Sequence, residues 1–329
     1  MGPTRQVRIL ISSVGRRVEL VHAFRRAAGR LRVPVKIYGT DMTMLAPAMH
    51  HVDEPVLVPP IRRRDFLDAL LALVTRHRID MLVPTIDTEL PKLAAARARL
   101  REEGCTALIS GQQVIRVCRD KLAAYRLLSK HGIDVPQTWS ADRLPTIRSM
   151  PFPCFLKGRF SSAGKGAVRI DDAASLRFHL ARARQPIVQE YLRGDEYTQD
   201  VYCGLDGQVR CVVPRQRLEI RSGEVQKALV VKEPRLIELS RRVIEALGVC
   251  VGVITVQCIL GPRGRVSVLE VNPRFGGGVP LSIQAGADFP RWLLAELLGR
   301  KIRAGQDCVR DGVYMLRYDQ SVFWHPRSR

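Results

Sequence analysis

The chain has 329 residues, of which 46% are hydrophobic, and a formal net charge of +21. A chain of this length buries a large core and normally divides into two or three domains. It contains no apolar run near the length of a membrane span and no N-terminal signal pattern, so we expect a cytoplasmic protein without a membrane partner. The eight cysteines include no Cys-x-x-Cys pair, which predicts buried thiols rather than disulfides or zinc ligands.

The excess of basic residues does not by itself predict nucleic-acid binding. The arginines are spread along helical segments, aromatic residues are not interleaved with them, and no nucleic-acid module is recognisable. A solvated basic surface is therefore favoured over a nucleic-acid site, and an acidic or phosphorylated partner stays open. Lysine is scarce, yet Lys121, Lys157 and Lys165 fall in segments with other features of phosphate binding.

The first third of the chain alternates short apolar strands with helical patterns. The strands are expected at residues 7–12, 35–41, 81–87 and 106–110, and helices follow the first strand and cover 64–77 and 89–103. This alternation predicts a doubly wound parallel sheet, whose ligands bind beyond the carboxyl ends of the strands. Arg16, Asp87 and Glu89 are thereby expected near one rim, and the absence of G-x-G-x-x-G disfavours a dinucleotide site.

The alternation of strands and helices ends near residue 116. The pattern of residues 119–132 predicts one helix. The pattern of residues 151–170 predicts a strand, a glycine-rich turn and a second strand. The turn, Ser-Ser-Ala-Gly-Lys-Gly at 161–166, offers backbone N–H groups and an ammonium suited to phosphates. It lacks the P-loop spacing, and an ordinary flexible hairpin remains the alternative.

The segment VLEVNPRFGGG, residues 268–278, follows a matching strand at 253–260 across a Gly-Pro turn. Residues two apart in a strand share a face, so Glu270, Asn272 and Arg274 are expected to enter one cleft. Leu269 and Val271 would then face the core.

Pairing the two runs would place Gln257 beside Glu270. Carboxylate and amide oxygens are hard ligands suited to Mg²⁺, and Arg274 would supply positive charge to phosphate oxygens. A strand edge followed by a turn is the alternative for this segment.

The order of these features resembles the ATP-grasp superfamily. The likeness is greatest to the synthetase domains of the carbamoyl-phosphate synthetase large subunit and to related single-unit carboxylate–amine ligases. It implies an α/β chain in which a pre-ATP-grasp, Rossmann-like domain (1–115) precedes a two-lobed α+β ATP-grasp domain. The lobes would be a lid or small subdomain (116–192) and a large subdomain with the metal site (193–329).

The resemblance also implies ATP and Mg²⁺ or Mn²⁺ as cofactors. Gln257, Glu270 and Asn272 match the metal ligands, and Arg274 matches the arginine that steadies the transferring phosphoryl group. The residues implied to bind the nucleotide are Lys121, Lys157, Ser161, Ser162, Gly164, Lys165, Gly166, Glu190, Tyr191, Leu192 and Glu196.

The implied reaction has two steps, in which a carboxylate takes the γ-phosphate of ATP and an amine then displaces phosphate to form an amide or peptide bond. Small-molecule carboxylate and amine substrates are thus expected, and a homodimer is compatible with the sequence. Kinase-like phosphoryl transfer and an ATP-binding scaffold with a basic surface remain alternatives. The positions of some residues in the chain suggest contacts with the substrates. Arg215 and Lys227 could lie near the phosphate or the acid, Gly276 and Gly277 near the acyl phosphate, and Arg16, Asp87 and Glu89 near the amine. A surface or ion-pair role is the alternative for each of them.

Overall fold

A computed structural model describes residues 5–146, 149–161, 164, 166–301 and 303–325. The described residues form three sheets of five, four and six strands. Short 3-10 helices occur at Pro47–His50, Ala141–Arg143, Pro262–Gly264 and Gln306–Cys308.

The first sheet is parallel and has the strand order β3-β2-β1-β4-β5. Its strands are β1 (Val7–Ser12), β2 (Val35–Asp41), β3 (Glu54–Leu57), β4 (Met81–Pro84) and β5 (Thr106–Ala107). The helices of this region are α1 (Val18–Leu31), α2 (Phe66–His77), α3 (Leu90–Ala95), α4 (Arg97–Glu102) and α5 (Gln112–Arg119). Ile9 and Ile11 of β1 pack with α1, whereas Leu10 packs with α2 and α3 on the other face. The predicted doubly wound α/β architecture is confirmed.

One local prediction in this region was wrong, and one strand was not predicted. The pattern at 89–103 gave one helix, but the helix is interrupted at Ala96, whose ψ of 4° is outside the helical range. The strand β3 was missed because its side chains are at most half-buried, so its sequence carries no strong apolar signal. It lies at a sheet edge, where Pro55 is tolerated.

The second sheet is antiparallel, with the strand order β6-β9-β7-β8. Its strands are β6 (Thr138–Ser140), β7 (Cys154–Gly158), β8 (Val168–Ile170) and β9 (Pro186–Glu190), and its helices are α6 (Lys121–Lys130) and α7 (Ala173–Leu180). The glycine-rich turn connects β7 to β8, as the sequence predicted. Within that turn Ser162, Ala163 and Lys165 lie outside the described residues.

The third sheet is also antiparallel, in the order β14-β13-β10-β11-β12-β15. Its strands are β10 (Asp195–Cys203), β11 (Val209–Arg221), β12 (Glu224–Val230), β13 (Gly252–Leu260), β14 (Val266–Asn272) and β15 (Tyr314–Leu316). The helices are α8 (Pro234–Leu247), α9 (Val279–Gln284) and α10 (Phe289–Leu297). One face of the sheet packs on α8, and the other packs on α9 and α10.

Helix α1 joins the first and third sheets into one core. Its apolar side chains belong to the same cluster as those of β12, α9 and α10. Phe24 of α1 meets Phe275 edge to face, with 6.1 Å between ring centroids. The carboxyl rim of the first sheet is therefore held against the turn that follows β14. The domain limits at 115/116 and 192/193 remain predictions.

Two expectations from composition can be compared with the structure. All eight cysteines are free thiols; seven are buried, and Cys308 is half-buried. Within the described ranges, no helix combines the length and the apolarity that crossing a membrane requires. The cytoplasmic location remains a prediction.

Candidate active site

A cavity of about 570 Å³ is lined by residues from the regions of all three sheets. Its volume falls in the range of small-molecule sites. The first region contributes residues 85–88, the second contributes Lys121 and Lys157, and the third contributes the hairpin of β13 and β14. The segments selected from sequence thus converge on one cleft.

The hairpin places two predicted metal ligands side by side. Gln257 of β13 is the direct partner of Glu270 on β14, as the sequence predicted, and Asn272 pairs with Thr255. A bulge beside Gln257 shifts the register, so Leu269 lines the cavity instead of facing the core. Val271 is buried in the core, as expected.

The donor set fits a hard divalent cation. Among the described residues, no group of three or more His, Cys, Asp or Glu side chains could hold a metal. Glu270 offers a carboxylate, and Gln257 and Asn272 offer amide oxygens; all three line the cavity. Oxygen donors of this kind suit Mg²⁺, which is usually bound through one or two carboxylates together with substrate phosphates.

Two lysines lie close to Glu270. Burial lowers the pKa of Lys157 to about 8, opposed by the nearby charge of Glu270 and reinforced by that of Lys121. Burial also lowers the pKa of Lys121, with Glu270 again opposing the shift. The Lys121 ammonium donates to the backbone oxygen of Ser161, which ties α6 to the glycine-rich turn. Poorly solvated ammonium groups of this kind attract phosphate strongly.

The turn after β14 is tied to the first sheet by Arg274. Its Nη2 donates to Asp87 Oδ2 over 2.5 Å, and its Nη1 donates to the Phe275 carbonyl over 3.0 Å. Asp87 Oδ1 and Arg274 Nε are buried and have no hydrogen-bond partner within the described part of the chain. Unpaired buried polar atoms beside a cavity favour a ligand that completes them.

A second arginine, Arg215, is buried beneath the glycine turn. It is 1% exposed and donates twice to Asp200, which is 0% exposed, over 2.8 and 3.0 Å. Ser282 donates to the same carboxylate over 2.6 Å. Arg215 borders the cavity, and its Nη1 atom has no hydrogen-bond partner among the described residues. The ion pair therefore leaves one buried guanidinium nitrogen without a partner in the described part of the chain.

The glycines of the turn make room for these guanidinium groups. A Cβ on Gly278 would lie 2.2 Å from Arg215 Nη1, and one on Gly277 would lie 2.8 Å from Arg17 Nη1. Both distances are far below van der Waals contact. The turn must therefore lack side chains for the arginines to approach it.

Several residues at this end of the cavity were missed from the sequence. Arg17 pairs with Glu224 over 3.4 Å, and Arg317 pairs with the same carboxylate over 3.3 Å. Arg17 follows β1 and could have been found by the rule on carboxyl ends of strands. Glu224 and Arg317 carry no such signal, because only packing of the third sheet brings them here.

The residues implied to bind the nucleotide are only partly brought together. Glu190, Leu192 and Glu196 line the cavity, and Glu196 is ion-paired with Arg217. Tyr191 does not line the cavity; its ring stacks on that of Phe155, with 5.6 Å between the ring centroids. Of the glycine-rich turn, Ser161 and Gly164 line the cavity and Gly166 does not.

Three predicted site residues lie elsewhere. Lys227 is half-exposed and pairs with Glu219 over 2.6 Å, because its strand turns this side chain away from the cavity. Glu89 is fully buried and accepts hydrogen bonds from Ser13 Oγ and the Thr85 N–H. Burial raises its pKa to about 7. Arg16 lines a neighbouring cavity rather than this one. The structure thus gives Lys227 and Glu89 structural roles.

Comparison with known proteins agrees with this architecture. The family model "ATP-grasp in the biosynthetic pathway with Ter operon" matches residues 182–318, and the model "PylC-like, N-terminal domain" matches residues 9–108. A probable alpha-L-glutamate ligase of Xanthomonas campestris is 27% identical over 210 residues, which is 59% of this chain and 70% of that protein. The vancomycin/teicoplanin A-type resistance protein VanA of Enterococcus faecium is 24% identical over 184 residues, 47% of this chain. The chain spans about half the length of VanA, 52%.

Solved structures share the fold at low sequence identity. The ADP complex of N5-carboxyaminoimidazole synthetase from Staphylococcus aureus has a TM-score of 0.71 at 19% identity, covering 91% of this chain and 79% of that one. The L-amino acid ligase from Bacillus licheniformis has a TM-score of 0.68 at 20% identity, covering 90% and 75%.

The match of residues 182–318 to an ATP-grasp family model supports the resemblance to the ATP-grasp superfamily that the sequence indicated.

Proposed function

We propose that this protein is an ATP-dependent carboxylate–amine ligase whose active site is the 570 Å³ cavity. The observation that carries the proposal is the convergence of Lys157, Glu270 and Arg274 on one cleft. These groups come from separate segments, and together they provide the cations and the oxygen ligand that phosphoryl transfer requires.

ATP would bind with its phosphates toward Lys121 and Lys157. Both lysines are half-buried, and burial lowers the pKa of each, so their attraction to phosphate is less screened than at an open surface. Phe155, Leu192 and Ile259 add apolar lining for the base, and Glu196 is the candidate for the ribose hydroxyls. The glycine-rich turn, held to Lys121 through Ser161, would cover the phosphates.

Gln257, Glu270 and Asn272 are the residues that would hold Mg²⁺. The ion would supply charge neutralisation at the phosphate oxygens. We retain the likeness to the carbamoyl-phosphate synthetase domains as a proposal, supported by a glutamine at the first ligand position. The glutamine leaves Glu270 as the only carboxylate in this ligand set.

The acid would bind at the turn of Gly276 to Gly278. Arg274 and Arg215 both border this part of the cavity, and each is fixed by a carboxylate. An acid oxygen would attack the γ-phosphorus of ATP, and the bond to the leaving ADP oxygen would break. The arginines would neutralise the charge that develops on the transferring group without having to reorganise. The amine would then displace phosphate from the acyl phosphate.

The test is an ADP-release screen over amino acids and small carboxylic acids with hydroxylamine present. We expect at least one acid to stimulate ADP release and to yield a hydroxamate, because hydroxylamine traps an activated acyl group. Arg274→Ala should abolish both signals, and Lys227→Ala should preserve them as the matched control. A stable phosphorylated acid without hydroxamate would support a kinase instead. ATP binding with no acid-dependent turnover would contradict the ligase.

A further inference from the structure

A short loop connects the buried Glu89 to the candidate active site. Residues 85–89 run from the end of β4 to the start of α3, and residues 85–88 of this loop line the cavity. Asp87 lies in the middle of the loop and accepts a hydrogen bond from Arg274 through its Oδ2 atom. The conformation of the loop therefore sets the position of the carboxylate that orients Arg274.

The carboxylate of Glu89 holds this loop from the inside. Its Oε1 atom accepts from the backbone N–H groups of Thr85 and Ile86 over 3.0 and 3.3 Å, so the side chain reaches back along its own loop. Its Oε2 atom accepts from Ser13 Oγ over 2.9 Å. Because Ser13 directly follows β1, Glu89 joins the loop after β4 to the end of the neighbouring strand.

The same loop has a second attachment to β1. Thr85 Oγ1 lies 3.1 Å from the carbonyl oxygen of Ser12 and 2.6 Å from that of Ser13. Ser12, Thr85 and Glu89 are completely buried. A buried backbone N–H needs an acceptor within the protein. Without the Glu89 carboxylate, the Thr85 N–H would lose its acceptor, and the loop would have to move to find another.

The burial of this carboxyl group is costly. Its three donors are uncharged, and burial raises its pKa to about 7. Apolar side chains can stabilise a core without such a cost. A carboxylate, however, accepts all three hydrogen bonds at once, which an apolar side chain cannot do. The choice of Glu89 therefore favours a fixed loop geometry over the stability of the core.

We propose that Glu89 is a positioning residue for phosphoryl transfer, which fixes residues 85–88 so that Asp87 holds Arg274 toward the transferring group. The inference rests on the proposed ligase function and adds a residue that lies outside the cavity. If Glu89 served only to stabilise the first sheet, its loss would lower stability without affecting Arg274.

The kinetic test compares two substitutions of Glu89, with an acid that stimulates ADP release. Glu89→Ala should lower kcat at least about tenfold and change the KM for ATP less than about twofold, because the arginine is misplaced while both lysines remain. Glu89→Gln should keep kcat within about threefold of wild type, since its amide oxygen accepts from Thr85 and Ile86 and its NH₂ group donates to the Ser13 hydroxyl.

Asp80→Ala is the matched control. Asp80 accepts from the Arg8 N–H over 2.7 Å and joins β1 to β4 at the opposite ends of the same two strands. Its loss should lower the melting temperature without lowering kcat.

A double-mutant cycle separates positioning from stability. If Glu89 acts through Asp87, Glu89→Ala should lower kcat less than about twofold in an Asp87→Ala background, because the contact that it supports is already lost. The full loss of kcat in that background, or an unchanged kcat in a folded Glu89→Ala enzyme, would overturn the inference and leave the ligase standing.

Ser13→Gly is the second variant, for use if Glu89→Ala does not fold. It removes a hydroxyl donor to Glu89 at a φ of 50°, a conformation that glycine adopts readily, and should lower kcat about threefold. An unchanged kcat in this variant would count against the positioning role.

Hydrogen exchange gives a measurement that needs no turnover. In Glu89→Ala the backbone amides of residues 85–88 and 274–278 should exchange faster than in wild type, and in Asp80→Ala they should not. Faster exchange in both segments, with no acid-dependent ADP release by the wild-type protein, would support the coupling of Glu89 to Arg274 and reject the ligase. Faster exchange confined to residues 85–88 would overturn the inference, because the loop would then not control Arg274.

Discussion

Arg274 donates to Asp87 over 2.5 Å, and the two residues are 187 positions apart in the chain. The contact links the loop after β4 of the parallel sheet to the turn after β14 of the antiparallel sheet. The cation proposed to face the phosphoryl group is thus oriented by a different part of the fold.

Removing Arg274 should affect the chemical step more than binding. For Arg274→Ala we expect kcat to fall about 100-fold or more, as when one preorganised donor is lost, with little change in the KM for ATP. Asp87→Asn should lower kcat by about tenfold, because Arg274 is retained but less well held. Steady-state kinetics with the identified acid measures both. A loss confined to KM would contradict the assignment of Arg274.

ATP binding should take up protons in mildly alkaline solution. The pKa of Lys157 is about 8 in the free protein, so much of this lysine is neutral at pH 8.5. Bound phosphates favour the ammonium form and should raise that pKa. Calorimetry in buffers of different ionisation enthalpy should reveal proton uptake, which Lys157→Arg should abolish. Identical uptake by that variant would assign the proton elsewhere.

The pairing of Gln257 with Glu270 predicts opposite effects of two substitutions on metal binding. Glu270→Gln removes the carboxylate and should raise the Mg²⁺ concentration for half-maximal activity at least about tenfold. Gln257→Glu places two carboxylates directly opposite, which is destabilising without a cation. Its melting temperature should therefore fall without Mg²⁺ and recover with Mg²⁺ more than that of wild type. A melting temperature insensitive to Mg²⁺ would place the metal elsewhere.

The substitution Gly278→Ala should disturb the packing of the turn against Arg215. The new Cβ would lie 2.2 Å from Arg215 Nη1, and the Arg215–Asp200 pair is buried and cannot move aside. We expect Gly278→Ala to cost about 1–3 kcal/mol of unfolding free energy, as for overpacking, and to reduce turnover. Gly29→Ala is the control, because its Cβ would meet nothing within 4 Å. Chemical denaturation of both variants gives the comparison.

Glu89 should make stability fall as the pH rises toward neutrality. Its folded pKa, about 7, exceeds its usual value of 4.5, so between these values the folded state binds more protons than the unfolded state. The stabilisation is complete below pH 4.5 and is lost as the pH passes 7, by up to about 3 kcal/mol at 1.36 kcal/mol per pKa unit. Urea unfolding at pH 5, 6 and 7 measures the slope. Glu89→Gln should flatten it.

Sequence reasoning went furthest where structure is local. The alternation of residues in 253–260 and 266–272, with a Gly-Pro turn between them, was enough to pair Gln257 with Glu270. It failed for Leu269, because a bulge changes which face a residue occupies without changing the apolar pattern. It failed for Lys227 because a strand residue can face either way, and here packing turned this one toward Glu219.

The sequence by itself determined the α/β class, the ATP-grasp likeness and the hairpin that carries the candidate metal ligands. These follow from periodicity, turn residues and motif order, which act between near neighbours in the chain. The tertiary structure decided that Arg274 meets Asp87, that Arg215 lies beneath Gly278, and that a second cavity opens beside Glu224. Those contacts depend on the packing of α1 between two sheets. They join side chains that are far apart in the chain, so the sequence near each residue carries no pattern from which the contact could be predicted.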